Sequence, residues 1–344
     1  MSAKGKTGVL LVNLGTPDTP QRGAVYRYLR QFLLDPRVID YPWLPRQLLV
    51  QGIIAPFRSG SSAKLYQQLW TPEGSPLKVY GKRLAEGVQS QLGSDYVVEL
   101  AMRYQQPSVS SVITRLLNKQ VSEIVVMSLF PQYASATTGS VYEEVMRVLK
   151  KEEVIPPLRF VSDYYDHEPM IEVFASNAAA FDLASYDHVI FSYHGLPQRQ
   201  LRKADRCNHC LQSPDCCQTI VMANQFCYSA QCHATTQAIT KKLNLPKEKF
   251  TTTFQSRLGP EKWAQPYTSQ VIEALATQGA KRLLVFSPAF VADCLETLIE
   301  IKVEYLEMFE KLGGEHLDLV PSLNDNPSWI SAVADMVRAN AHAR

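Results

Sequence analysis

The sequence predicts two similar α/β domains, each built around a parallel sheet. Short apolar runs that end in turn residues alternate with helical patterns along the chain, which is typical of βαβ units. The run at 9–17, VLLVNLGTP, also aligns with the run at 189–197, VIFSYHGLP, so that a glycine and a proline coincide. A weaker similarity relates VVMSLFP at 125–131 to LLVFSPAF at 283–290. The second domain therefore repeats the plan of the first.

Composition limits the class of protein. The 344 residues suffice for two domains of ordinary size, and 46% of them are hydrophobic. The 35 Lys and Arg residues nearly balance the 33 Asp and Glu residues, which argues against a nucleic-acid-binding protein. The sequence shows neither a signal-peptide core at its start nor a run of roughly 20 apolar residues. We therefore expect a cytoplasmic protein whose seven cysteines are thiols or metal ligands.

The first domain opens with a βα unit. The apolar run 8–13 predicts a buried strand, and Thr19 with Pro20 predicts the start of a helix that reaches Leu34. The next segment, 41–57, is apolar but contains three prolines and a glycine, which argues against a long helix or a membrane span. It either lines a pocket, forms an exposed hydrophobic lip or packs in the core.

The rest of the chain can be divided by the same patterns. The remaining elements of the first domain are predicted as a loop at 66–77, strands at 97–102 and 123–129, and a helix at 108–117. The stretch FPQYASATTGS at 130–140 includes Tyr133 and forms a plausible polar wall for a site. We expect a first domain at 1–183, a second at 184–320, and a C-terminal helix within 321–344 that packs back on the first domain.

A histidine ends the first predicted strand of the second domain. The apolar run from Val189 breaks at Gly195, which puts His194 at the carboxyl end of the strand. Ligands of open α/β sheets collect outside the strand carboxyl ends, so His194 can meet a substrate there. A lone histidine in a turn would more often be structural, but other polar residues accompany this one.

An acidic helix follows the predicted strand at 283–286. At about 100° per residue its acidic side chains fall within one narrow arc, and most of the remaining surface is apolar. These acidic residues are Asp293, Glu296, Glu300, Glu304 and Glu307. Such a stripe is often only a solvated face, but here the apolar arc is wide and the stripe begins just past a strand end. Imidazole with carboxylates can bind a divalent metal or move a proton near neutral pH.

Six of the seven cysteines lie in one short polar stretch. They are Cys207, Cys210, Cys216, Cys217, Cys227 and Cys232. A CxxC pair followed by further cysteines is typical of a four-sulfur site for zinc or an iron–sulfur cluster. His209 could replace one thiolate in a zinc site. The pattern therefore predicts metal binding and leaves the metal open.

Five motifs resemble the ferrochelatase family. They are VLLVNLGTP, FPQYASATTGS, SYHGLP, TFQSRLGPEKW and FVADCLETLIEI, and they occur in the family's order over most of the chain. The resemblance implies two Rossmann-like domains with a porphyrin cleft between them, as in class II chelatases. It also implies a lyase of haem synthesis that inserts Fe²⁺ into protoporphyrin IX and releases two protons.

The resemblance carries several site residues onto this chain. His194 and Glu296 match the family's active-site histidine and glutamate, with Asp293 and Glu300 on the acidic track beside them. His194, Glu296 and Glu300 are the candidates for holding the substrate iron. The candidates for binding the porphyrin are Arg103, Tyr104, Tyr133, Trp263 and, from a shorter match, Arg37. A neutral histidine, with an ordinary pKa of about 6.5, can accept a porphyrin proton as the metal enters.

The chain also departs from the family pattern. Cys294 stands where many members have a second histidine, and Ser135 stands where cluster-bearing animal members have a cysteine. The insertion at 205–232 resembles the cysteine-rich insertion of some bacterial ferrochelatases that is associated with a [2Fe-2S] cluster. On that basis the expected ligands are Cys207, Cys210, Cys216 and Cys217, with Cys227 in reserve and Cys232 least suited.

Other functions remain open on the sequence. A related chelatase could insert cobalt or nickel, or could act on coproporphyrin. A non-catalytic iron–sulfur or porphyrin sensor would need the cysteines but not the pair of His194 and Glu296. A zinc-stabilised binding module is a third alternative. The apolar segment 41–57 would allow weak contact with a membrane surface.

Overall fold

The computed structural model describes residues 5–341, which form two compact units. Among these residues, unit 1 comprises those up to Phe130, then Ala134–Ser162, and those from Asp325 onward. Unit 2 comprises Pro131–Tyr133 and Asp163–Asn324. The chain therefore leaves unit 1 after Ser162 and returns at Asp325, whereas the sequence placed these divisions at 183/184 and 320/321.

Unit 1 is built on a four-stranded parallel sheet. Its strands are β1 (Thr7–Gly15), β2 (Tyr96–Tyr104), β3 (Glu123–Ser128) and β4 (Leu158–Val161). The spatial order is β2-β1-β3-β4, so the first strand of the chain lies inside the sheet. Because β1 is covered on both faces, it reads as the continuous apolar run that predicted it.

Helices cover the sheet of unit 1. Those before the chain crosses to unit 2 are α1 (Arg22–Leu33), α2 (Trp43–Gln47), α3 (Ala55–Leu69), α4 (Pro76–Leu92), α5 (Val109–Asn118) and α6 (Ser140–Leu149). Helix α1 begins at Arg22, with Gln21 rather than Thr19 as its N-cap. On one side of the sheet the core joins β1 and β3 to α5 and α6, through residues that include Val12, Ile113, Val126 and Val145.

The segment after α1 corrects the expectation that prolines and a glycine would prevent a long helix. Helix α2, a π-helical segment at Leu48–Ile54 and α3 follow one another without a break. Pro45 lies in the first turn, where its missing N–H has no partner to lose. Pro56 follows the π-helical segment, where the Ala55 amide already bonds five residues back to Val50. Within residues 5–341 no helix is long and apolar enough to cross a membrane.

Half of the predicted loop at 66–77 is also helical. Helix α3 continues to Leu69 and α4 starts at Pro76, so only residues 70–75 connect them. Serine, threonine and glycine are frequent in this short connection, and they suggested a longer loop than the chain forms.

Unit 2 repeats the plan of unit 1. Its strands are β5 (His188–His194), β6 (Phe250–Gln255), β7 (Arg282–Phe286) and β8 (His316–Leu319). They form a parallel sheet in the order β6-β5-β7-β8, which is the same arrangement as β2-β1-β3-β4. Two similar α/β units with parallel sheets are thus confirmed. Strand β5, which ends at His194, occupies the inner position that β1 has in unit 1.

The helices of unit 2 are α7 (Glu168–Ala178), α8 (Gln198–Ala204), α9 (Tyr228–Lys242), α10 (Thr268–Thr277) and α11 (Leu306–Lys311). A π-helical segment, Glu296–Tyr305, runs directly into α11, and Gly313 with φ 91° ends the helical run. The core of the unit joins β5 and β7 to these elements through Ile190, Val285, Ile301 and Phe309.

The last helix, α12 (Pro327–Asn340), belongs to unit 1. It packs along α4, where the Gln91 side-chain amide donates to the Ser331 hydroxyl at 2.9 Å. Trp329 and Val333 of α12 are completely buried. Unit 1 is therefore completed by residues from both ends of the chain.

Candidate functional site

His194 is held at the carboxyl end of β5 by hydrogen bonds around its main chain. Its Nδ1 lies 2.7 Å from the carbonyl oxygen of Gly195. A carbonyl can only accept, so Nδ1 carries the proton and Nε2 of the neutral ring keeps a lone pair. The carbonyl oxygen of His194 accepts a hydrogen bond from the Tyr228 hydroxyl at 2.8 Å. The half-buried imidazole is therefore oriented with Nε2 ready to take a proton or a metal.

Trp263 lies beside this histidine. The two ring centroids are 6.4 Å apart, and the indole N–H donates to the Leu258 carbonyl at 3.0 Å, which fixes the ring. A Cβ on Gly195 would lie 3.2 Å from the Trp263 ring and 2.9 Å from the Gln255 carbonyl oxygen. Glycine is thus required for the close approach. The structure brings His194 and Trp263 together, as a shared site requires.

Gln255, which the sequence analysis did not single out, connects the strand edge to the acidic helix. It ends β6 opposite His194 in the sheet register and is 2% exposed. Its side chain accepts from the Ser192 hydroxyl at 2.6 Å and donates to the Glu296 carbonyl oxygen at 3.1 Å. A polar residue at the end of a strand of threonines and phenylalanines was the available signal.

The carboxylates of Asp293 and Glu300 accept hydrogen bonds from several neighbouring groups. Asp293 is 7% exposed, and its carboxylate accepts from Thr297 at 3.0 Å and Asn324 at 2.7 Å. Glu300 accepts from the Ser256 amide at 2.9 Å and the Tyr305 hydroxyl at 2.9 Å. The side chains of Gln255 and Ser256 also donate to Glu300. Their roles in metal or proton handling stay predictions, and these contacts favour a holding role for both.

Glu296 is the first residue of the π-helical segment and is half-buried. In this segment backbone bonds run from residue i to i+5, so the spacing of 100° per residue used for the acidic stripe was wrong here. Glu304 and Glu307, further along, are exposed. Although Glu304 is exposed as a residue, the partial burial of its carboxyl, followed by the charges of Glu300 and Glu307, raises its pKa. The outer part of the stripe is therefore a solvated face, and only its beginning lies near the strand edge.

In unit 1, Arg103 and Tyr104 meet at the carboxylate of Asp35. The Arg103 guanidinium donates to Asp35 at 2.7 Å, and the Tyr104 hydroxyl donates to the same oxygen at 2.9 Å. Burial, and then the charge of Asp35, raises the pKa of Tyr104. Tyr104 is completely buried, whereas the Arg103 side chain is 15% exposed. Their contact with porphyrin stays a prediction, which the exposure favours for Arg103 over Tyr104.

Arg37 lies close to the same carboxylate. Its amide donates to Asp35 at 2.7 Å, while its guanidinium pairs with Glu143 and donates to the Ser135 hydroxyl at 2.9 Å. Asp35, which the sequence did not single out, is thus the centre of this network. The proposed propionate contact of Arg37 stays a prediction and would have to compete with Glu143.

Four cysteine sulfurs of the insertion contact one another. Hydrogen bonds from the thiols of Cys210 and then Cys217 lower the pKa of Cys227 to about 3. The sulfurs of Cys216 and Cys217 are 3.5 Å apart. Cys227 is the N-cap of α9, and the backbone N–H groups of the first turn also favour its thiolate. These contacts include the reserve residue Cys227.

Two other candidates of the insertion lie differently. Cys207 is exposed, and its amide donates to Asp205 at 2.9 Å. His209 Nε2 lies 3.1 Å from the Cys216 carbonyl oxygen, to which it donates. Across residues 5–341 no three or more His, Cys, Asp or Glu side chains are arranged so that they could hold a metal ion. The ligand set predicted from sequence therefore stays a prediction.

Tyr133 lies near the same insertion in unit 2. Its amide donates to Gln231 of α9 at 2.6 Å, and its ring meets Phe226 edge-on at 6.3 Å. Its contact with porphyrin stays a prediction.

The chain is similar to a known protein family along nearly its whole length. A family model described as ferrochelatase matches residues 6–341. A ferrochelatase of Coxiella burnetii is 45% identical over 333 residues, which cover 97% of this chain and 93% of the relative. One of Legionella pneumophila is 43% identical over 332 residues, which cover 96% of this chain and 98% of the relative.

Solved structures resemble the fold. SirB from Bacillus subtilis with Fe³⁺ aligns with a TM-score of 0.54 at 11% identity, over 98% of this chain and 96% of SirB. At this identity the similarity supports the two-unit α/β architecture and nothing further.

Proposed function

The chain belongs to the ferrochelatase family, whose members insert ferrous iron into a porphyrin in haem biosynthesis, and we propose that its porphyrin is protoporphyrin IX. The reaction then yields protohaem and two protons, and the enzyme is a lyase. The observation that carries the proposal is the hydrogen bond from His194 Nδ1 to the Gly195 carbonyl, because it leaves Nε2 as a base.

His194 and Glu296 divide the chemistry in this proposal. His194 Nε2 takes a proton from a porphyrin nitrogen, and the Glu296 carboxylate holds Fe²⁺ or passes the proton on. Gln255 fixes the main chain of Glu296 relative to β6, and Asp293 with Glu300 anchors the π-helical segment. The substrate-contact roles of Trp263, Tyr133, Arg103, Tyr104 and Arg37 belong to the same proposal. Trp263 has the best support because its ring lies beside His194.

The test is anaerobic incubation of the purified protein with Fe²⁺ and protoporphyrin IX. Loss of porphyrin fluorescence over many turnovers is expected, with coproporphyrin III run in parallel and Co²⁺ and Ni²⁺ in competition with Fe²⁺. Faster turnover of coproporphyrin III would overturn the choice of substrate. Stoichiometric binding without turnover would instead favour a porphyrin sensor.

We further propose that the insertion holds a [2Fe-2S] cluster. Four cysteine sulfurs are the usual donors of such a cluster, and pairwise contacts link the sulfurs of Cys210, Cys216, Cys217 and Cys227. Because the described residues hold no group of three or more such side chains arranged around one metal position, the sulfurs would have to move together to bind the cluster. Bound there, the cluster would supply one-electron redox chemistry. Metal insertion has no net electron transfer, so no step of the reaction is assigned to it.

Two serine variants separate the competing ligand sets. Cys227→Ser is expected to abolish the visible absorption of the purified protein, whereas Cys207→Ser is expected to retain it because Cys207 is exposed. The opposite result would restore the ligand set predicted from the sequence. Colourless wild-type protein with one equivalent of zinc by metal analysis would favour the zinc alternative.

An exposed apolar surface supports membrane contact as a second proposal. Trp43, Leu44, Leu48, Ile53 and Phe57 are 57–79% exposed on the helical run of unit 1. No acidic residue occurs from Tyr41 to Pro72, whereas Arg58 and Lys64 are exposed. We propose that the protein works in the cytoplasm and rests this surface on an anionic bilayer. Sedimentation with phosphatidylglycerol vesicles, absent with Phe57→Ser, would support it; equal sedimentation of both would not.

A further inference from the structure

Two consecutive residues connect the cysteines of the insertion with the end of β5, where His194 lies. Cys227, the N-cap of α9, contacts the thiols of Cys210 and Cys217. Tyr228, the first residue of α9, is 8% exposed and donates its hydroxyl to the His194 carbonyl oxygen at 2.8 Å. One peptide bond therefore separates the sulfur contacts from a contact with the main chain of the histidine.

The Tyr228 bond acts on the peptide group that orients the imidazole. That group joins His194 to Gly195, and its N–H donates to the Gln255 carbonyl oxygen at 2.8 Å. Tyr228 thus holds the oxygen side of the group while β6 holds the nitrogen side. The following carbonyl, of Gly195, binds His194 Nδ1. A change in the tilt of this peptide group would therefore turn the imidazole.

The rest of α9 is fixed at other points, so a displacement at its first turn is not spread along the whole helix. Thr236 pairs with the Tyr193 hydroxyl at 3.0 Å, and Thr235 accepts from the Gln132 side chain at 3.0 Å. Gln231 accepts from the Tyr133 amide. Movement of Cys227 therefore reaches Tyr228 more directly than it reaches the middle of α9.

We propose that Tyr228 is a positioning residue that couples the sulfur site of the insertion to His194. A change in the sulfur contacts of Cys227 alters the hydrogen bond from the Tyr228 hydroxyl to the His194 carbonyl oxygen, and hence the reactivity of the imidazole. The inference rests on the proposed roles of His194 and of the four cysteines. It assigns the insertion a regulatory function in metal insertion, without an electron-transfer step.

Tyr228→Phe tests the positioning role because it removes only the hydroxyl. We expect kcat to fall about fivefold with an unchanged KM for porphyrin, the size of effect that one lost hydrogen bond produces. The rate at which diethylpyrocarbonate modifies His194, followed by mass spectrometry, should change by a similar factor. A purely structural role would lower the folded fraction and leave the reactivity of folded protein unchanged.

Tyr193→Phe is the matched control. Tyr193 lies next to His194 in β5 and contacts the same helix through its hydroxyl, but it does not touch the His194 carbonyl. It should leave the modification rate of His194 within about twofold of wild type. An equal effect of both variants, or no effect of Tyr228→Phe, would overturn the positioning role.

Coupling is tested by adding Cys227→Ser to each background. This substitution should alter the modification rate of His194 when the Tyr228 hydroxyl is present and have a much smaller effect in the Tyr228→Phe background. Equal effects in both backgrounds would overturn the coupling. If Cys227→Ser does not fold, protein reconstituted with iron and sulfide is compared with iron-free protein in both backgrounds. Coupled modification rates in a protein that inserts no metal would refute the proposed function and leave the coupling standing.

Discussion

At the scale of single residues, the polar side chains near the site fall into two groups. Some keep an atom that can bind a proton or a metal, and others already accept hydrogen bonds from several protein groups. His194 keeps the Nε2 lone pair, whereas the carboxylates of Asp293 and Glu300 accept from several donors each. A carboxylate saturated by neutral donors is costly to withdraw from them. These contacts favour the proposal that His194 and Glu296 carry the chemistry, and that Asp293 and Glu300 hold the helical segment.

Replacing the histidine tests this division. His194→Ala should lower kcat for metal insertion by at least about 100-fold, the loss expected for a general base. Porphyrin affinity, measured by fluorescence quenching, should stay within a few fold because Trp263 remains. His188→Asn at the other end of β5 is the control and should keep near-normal turnover. Near-normal turnover of His194→Ala would refute the assignment.

Replacing glutamate by glutamine should change the stability of the protein in opposite directions at Glu300 and at Glu304. Glu300→Gln places an amide against the donors of Ser256 and Tyr305, so the free energy of unfolding should fall by about 1–3 kcal/mol. Glu304→Gln removes a charge that burial and like charges disfavour in the folded state. Because that raised pKa costs stability once the carboxyl ionises, the variant should be equally or more stable at pH 7 and unchanged below pH 4.

Urea unfolding at both pH values measures the two effects. A stable Glu300→Gln variant with impaired metal insertion would instead assign Glu300 to the metal or proton path. Loss of stability in Glu304→Gln at pH 7 would contradict the solvated-face interpretation of the outer stripe.

At the scale of elements, the sequence predicted strands better than helical geometry. The buried strands are nearly continuous apolar runs, so β1, β3, β5 and β7 could be located from these runs alone. The π-helical segments could not, because bonding from i to i+5 leaves no distinct pattern in a short sequence. Pro56 for that reason suggested a break where the chain continues as a helix.

The sequence indicated some of the candidate site residues and missed others. His194 and Glu296 could be proposed from the sequence because both lie in recognisable motifs, His194 at the end of β5 and Glu296 in the helical segment that follows β7. Gln255 and Asp35 were missed because their importance comes from partners distant in sequence, such as Ser192 for Gln255 and Arg103 for Asp35. Such hubs are visible only once the sheet register brings their partners together.

A glycine stands at the carboxyl end of each inner strand, Gly15 as the last residue of β1 and Gly195 just after β5. Gly15 has φ 115°, and a Cβ there would lie 2.0 Å from the Tyr104 carbonyl oxygen. Gly15→Ala should therefore destabilise the protein by more than about 1–3 kcal/mol, the cost of the backbone conformation alone. Gly195→Ala meets Gln255 at 2.9 Å and should cost less stability but more activity, because it displaces Trp263 beside His194. Thermal unfolding with turnover measures both; the reverse ranking in stability would contradict this account.

At the scale of the whole molecule, the two units share details beyond their strand order. In unit 1 the Met102 amide donates to the Pro107 carbonyl at 2.7 Å, and in unit 2 the Phe254 amide donates to the Pro266 carbonyl at 2.9 Å. In each unit the donor lies in the strand, β2 or β6, and the proline lies between that strand and the following helix, α5 or α10. The resemblance between short apolar runs therefore reflects a repeated plan.

Only the second copy carries the residues proposed to react. The residue aligned with His194 in the first copy is Leu14. The sheet registers pair Val125 with Val9 and Leu284 with Val189, and the same offset aligns Thr137 with Glu296. In both copies a π-helical segment follows the third strand of the unit, at Ser135–Gly139 and Glu296–Tyr305. The same scaffold thus presents hydroxyls in unit 1 and an imidazole with carboxylates in unit 2.

The return of the chain to unit 1 makes its last helix part of that unit's core. Trp329 of α12 is completely buried, so Trp329→Ala should cost about 3–5 kcal/mol through lost contacts and an unfilled cavity. Trp43→Ala is the matched control, because Trp43 is 66% exposed and its loss should leave stability within about 0.5 kcal/mol of wild type. Urea unfolding gives both values, and hydrogen exchange should show the loss of protection of Trp329→Ala in β1 and β3 more than in β5 and β7. Equal loss in all four strands would mean that the two units unfold as one, and an unchanged midpoint would remove α12 from the core.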